Sequence, residues 1–139
     1  MSKARSPRVL VVLLLVLASA GTALPALADE PFGPIHMAAN RSSYTGSGCP
    51  IEILYTATIN FTMPHPKGFA FNYHWERSDG AKTPVQVVRP SPNQRSMVLR
   101  DKWKLGSPGR QYDASVTLFV NSGNTHESHP SPSVRVVCR

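Results

Sequence analysis

Over residues 51–62 the chain alternates with a period of two. Ile51, Ile53, Tyr55, Ala57, Ile59 and Phe61 are all apolar, whereas only Leu54 is apolar among Glu52, Leu54, Thr56, Thr58, Asn60 and Thr62. Side chains of a strand point to opposite faces in turn, so this run specifies a strand with one face in a core and the other wet. The run is long for a single strand, which predicts a bulge inside it.

A second run sharpens the picture. Phe69, Phe71, Tyr73 and Trp75 occupy odd positions, and Ala70, Asn72, His74 and Glu76 the even ones. Asp79-Gly80 then supplies turn chemistry. This predicts a central core strand with an aromatic face, Trp75 at the centre of the core, and Tyr73 and Trp103 packed with it. Shorter alternating runs mark residues 35–39, 85–88, 95–105, 112–120 and 134–138 as further strands. Residues 40–48 and 121–132 are polar and read as loops. Together these give about seven strands, with no helix-period segment after residue 28. Thirteen prolines also argue against helices. The expected fold class is an all-β sandwich.

The N-terminus has a different character. Lys3, Arg5 and Arg8 precede an apolar run at 9–17, and Ala26-Leu27-Ala28 follows as a small-x-small cleavage site. This is the pattern of a secretory signal peptide over residues 1–28. Residues 29–34 read as a flexible leader, and 35–139 as the sandwich domain. After cleavage, twelve Lys and Arg face eight Asp and Glu, a mild net charge of +4. The expected location is secreted or periplasmic. Two cysteines, Cys49 and Cys138, both lie in the exported part, and an even count in a small exported domain reads as one disulfide. A bridge across a loop of this length is worth roughly 4–5 kcal/mol in the chain-entropy model.

Four features occur in a fixed order along the chain. They are Cys49-Pro50, the string Tyr-x-Trp-x-Arg-Ser-Asp-Gly at residues 73–80, Trp103-Lys104-Leu105-Gly106, and the late Cys138. This order resembles the small exported immunoglobulin-like domains of bacterial secreted proteins, most of unassigned function. The resemblance covers about residues 35–139 and implies an immunoglobulin-like β-sandwich. The chain departs from antibody-type domains, in which a Tyr sits two residues before the second Cys. Here Val136 holds that position. The bridge is therefore expected to join the start of the second strand to the last one.

Candidate chemistry is sparse. His126 and His129 flank Glu127-Ser128 and are the candidate metal ligands, but the spacing is not that of a helical His-Glu-x-x-His site. His36, His65, Met37 and Met63 have the soft donors that suit copper(I), scattered over the sequence. Arg100, Lys102 and Lys104 share one strand face, a candidate surface for an anionic polysaccharide, a membrane or a nucleic acid. Such charge also guards edge strands against aggregation, and export argues against nucleic acid. Asp79, Asp101 and Asp113 are read as turn or outward residues, and no nucleophile elbow or phosphate loop occurs. Asn40 and Asn60 begin glycosylation sequons.

The sequence thus predicts an exported, non-catalytic immunoglobulin-like module with a protein or cell-surface partner and no cofactor. A periplasmic metal- or small-ligand-binding domain using the histidine-bearing loops is the alternative. Binding of an anionic polysaccharide through the basic strand face is a second alternative.

Overall fold

The computed structural model describes Gly21 and residues 30–139, so the expected signal peptide and its cleavage site lie outside the described residues. No helix forms among the described residues. The strands are β1 (Phe32–Ala39), β2 (Ser43–Gly46), β3 (Ile51–Phe61), β4 (Phe71–Arg77), β5 (Gln86–Val88), β6 (Ser96–Leu105), β7 (Gln111–Ala114), β8 (Val116–Ser122), β9 (Thr125–Pro130) and β10 (Val134–Cys138). They form three sheets, ordered β1-β3-β6, β2-β10-β7 and β5-β4-β8-β9.

The core follows the alternation read from the sequence. All six odd-numbered residues of β3 are buried. They meet Phe71 and Trp75 of β4, Leu118 and Val120 of β8, and Val134 and Val136 of β10 in one cluster. Each fully buried aliphatic or aromatic side chain contributes roughly 1.5–3 kcal/mol. Phe32, Phe61 and Phe71 form an aromatic group at one end, with the Phe32 and Phe71 rings edge-on and their centroids 5.4 Å apart. The fold is therefore an all-β sandwich held by one disulfide between Cys49 and Cys138.

Several boundaries differ from the expectation. The first strand begins at Phe32, which is buried, so residues 32–34 belong to the sheet and not to a flexible leader. β3 pairs with β6 in unbroken register over residues 51–60, so the expected bulge is absent there. The irregularity lies instead in β1, between Phe32 and Ile35. The segment 112–120 is two strands rather than one. At Ser115 the chain leaves the β2-β10-β7 sheet and joins β4 and β9. Ser78 bridges the break: its Oγ accepts the Ser115 N–H at 3.1 Å, and its own N–H donates to the Ser115 carbonyl at 2.9 Å.

Both segments read as loops contain strands. β2 runs parallel to β10. β9 pairs with β8 through a turn in which Gly123 has φ +57°. Tyr73, expected in the core, lies half-buried at its margin, where its hydroxyl donates to Gln86 Oε1 at 3.1 Å. Trp75 and Trp103 are both buried.

Candidate functional site

Asp101 is the one charged residue buried among the described residues, at 7% exposure. It shares strand parity with Leu99 and Trp103 and so faces inward on β6. The expectation of an outward position is corrected here. Arg77, the last residue of β4, reaches across to it. Arg77 Nε donates to Asp101 Oδ2 at 3.1 Å and Nη2 donates to Oδ1 at 2.9 Å. The same Nη2 donates to the Lys102 carbonyl at 3.1 Å. The guanidinium also lies 5.5 Å from the Trp103 ring centroid. A bidentate charge-assisted pair of this kind fixes geometry as well as energy.

The electrostatics follow from this placement. The hydrogen bond to Asp101 holds the Arg77 guanidinium above its usual value, against the opposing effect of burial. Burial, with a smaller contribution from the charge of Asp101, pushes Tyr55 up to about 12. Tyr55 therefore stays a neutral donor, and its hydroxyl binds the Ala114 carbonyl at 2.8 Å. The arrangement ties the β1-β3-β6 sheet to both of the others, through Asp101 to β4 and through Tyr55 to β7. It presents no free nucleophile, because the carboxylate and guanidinium engage each other.

The outward face of the same layer carries the basic residues. Arg100, Lys102 and Lys104 are exposed on β6, opposite Thr56, Leu54 and Glu52 of β3. None of the three cations forms an ion pair among the described residues. The strand is also an edge, with β3 on one side only.

The histidine candidates separate. His126 and His129 are both on β9, three apart, and a strand sends such residues to opposite faces. His126 lies outward, with Nδ1 2.7 Å from Asn121 Oδ1, and Asn121 Nδ2 donates to Asn72 Oδ1 at 3.0 Å. His129 turns to the other face, half-buried, with Nε2 3.1 Å from Glu127 Oε2. The two rings do not converge on one ion, which corrects that candidate. Among the described residues no three His, Cys, Asp or Glu side chains are grouped for a metal. His36 and Met37 likewise face opposite sides of β1, His65 Nε2 lies 2.6 Å from the Gln94 carbonyl, and Met63 packs against the core.

Two open clefts of about 390 Å³ are present among the described residues. One lies between the Ser78-Asp79 turn, Trp103 and Leu105 of β6, and Tyr112 and Asp113 of β7. It brings Asp79 and Asp113 to one place, a juxtaposition that their sequence separation hides. Asp79 Oδ1 accepts the Ala81 N–H at 2.9 Å and so shapes the turn. The other cleft lies between residues 65–69 and Arg89, Pro90 and Pro92. Both sequon asparagines serve the backbone: Asn40 Oδ1 accepts the Leu54 N–H at 3.0 Å and Asn60 Nδ2 donates to the Pro34 carbonyl at 2.9 Å.

No protein-family model matches the chain, and no curated protein or solved structure matches it. No helix among the described residues is long and apolar enough to cross a membrane. The Cys49–Cys138 disulfide fits an oxidising, extracytoplasmic environment.

Proposed function

We propose that this chain is an exported, non-catalytic immunoglobulin-like module that binds a protein or cell-surface partner through its sheet faces. One observation carries the reading. The bidentate pair of Arg77 with the buried Asp101 faces the core, while the outward side chains stand on paired strands. Sites on strands are held more precisely than sites on loops.

A second outward face supports the same reading. On β4 and β8, His74 stacks on Phe119 with centroids 5.0 Å apart and planes at 5°. Beside it runs the hydrogen-bonded row Asn72, Asn121 and His126. Aromatic and amide groups fixed in this way suit contact with another surface.

The test is binding of the labelled, purified protein to cells of its own source. The expected result is saturable binding, reduced by outward substitutions on one face and unaffected by those on the other. Turnover of an extracellular substrate, or binding that no face substitution alters, contradicts the proposal.

A further inference from the structure

We propose that the outward face of β3 and β6 is a lane for a linear acidic polysaccharide. Arg100, Lys102 and Lys104 take successive anionic groups, and Thr56 and Thr58 take sugar hydroxyls. This deepens, and rests on, the reading of the chain as a binding module.

Three observations carry it. First, alternate residues of a strand stand about 6.6–6.8 Å apart, so the three cations form a straight, evenly spaced row. Neighbours in the row lie within a Debye length of about 10 Å at 0.1 M salt, so their fields add. No ion pair among the described residues neutralises them, and Glu52, opposite Lys104, is the only acid among the outward residues of β3 and β6.

Second, a hydroxyl lane runs beside the cationic one. Thr56 is paired with Arg100, and Thr58 with Val98. Adjacent strands are about 4.8 Å apart, within reach of one sugar ring. Third, the outward positions of β3 and β6 hold no Phe, Tyr or Trp. Single-stranded nucleic acid needs such rings for base stacking. A bilayer surface favours aromatic and aliphatic side chains that enter the interface, and Val98 is the only exposed large apolar residue of the two strands.

Titration calorimetry with polygalacturonate tests the lane, with uncharged dextran, an oligothymidylate and phosphatidylglycerol vesicles as comparisons. Wild type is expected to bind polygalacturonate in preference to all three, and more weakly as salt rises. The R100A/K102A/K104A variant is expected to lose about tenfold or more in affinity with an unchanged melting temperature, since exposed substitutions cost little stability. Thr56→Val is expected to weaken binding without altering the salt dependence. Unchanged affinity in the triple variant overturns the lane, as does tighter binding to the oligothymidylate or the vesicles. If wild type ignores polygalacturonate but still binds cells through another face, this inference fails alone. If it binds neither, the binding role fails with it.

Discussion

The Tyr55 hydroxyl donates to the Ala114 carbonyl at 2.8 Å, linking β3 to β7 across the core. This bond needs the neutral phenol. Burial, then the charge of Asp101, raises the Tyr55 pKa from 10.0 to about 12. The folded state thus holds the proton more tightly than the unfolded chain. Stability from this group is complete below pH 10.0 and is lost as pH rises towards about 12. Melting curves across that window are expected to fall more steeply for wild type than for Tyr55→Phe. Equal slopes contradict the assignment. At neutral pH the same substitution is expected to cost about 1 kcal/mol, for the lost bond.

Trp75 fills the space between the layers at 2% exposure. Trp75→Ala is expected to cost about 3–5 kcal/mol through the cavity it leaves. Denaturant unfolding checks this through the midpoint at constant slope. A loss below about 1 kcal/mol places the indole outside the core.

The disulfide spans 89 positions. Its removal in the paired Cys49→Ser and Cys138→Ser variant is expected to cost roughly 4–5 kcal/mol in the chain-entropy model. Calorimetry of the oxidised and double-serine proteins reads this as a drop in melting temperature. Coincident melting curves contradict the bridge.

Gly106 has φ +118°, and a Cβ there would lie 2.8 Å from Cys138 Sγ and 3.1 Å from Cys49 Sγ. Gly106→Ala is expected to cost on the order of 1–3 kcal/mol from backbone strain, with crowding of the bridge in addition. Gly68→Ala is the comparison, since it shares a positive φ of +73° but has open space around it. Equal losses at the two sites remove the bridge from the explanation.

The buried halves of β3, β4, β8 and β10 are legible in the sequence because each turns an apolar face inward, and alternation then reports burial directly. β9 and β2 are not, because edge strands need no continuous apolar face. β9 alternates only between exposed and half-buried residues, nearly all of them polar. The Gly123-Asn124 pair is the available hairpin signal. Asp101 escapes a sequence reading for a different reason. Its charge suggests water, but its parity with Leu99 and Trp103 places it inside, and Arg77 of the Tyr-x-Trp-x-Arg string is the partner that makes burial tolerable. The basic residues of β6 are visible as a row, while their lack of ion pairs among the described residues emerges only from the three-dimensional arrangement.

Arg77 and Asp101 tie the end of β4 to β6 through a bidentate pair. A double-mutant cycle on Arg77→Ala and Asp101→Ala measures this most directly. Each single change is expected to cost roughly 3–5 kcal/mol, because it strands a partly buried charge. The double variant is expected to cost less than their sum, with a coupling of about 1.5 kcal/mol or more. Additive losses, with coupling near zero, would contradict it.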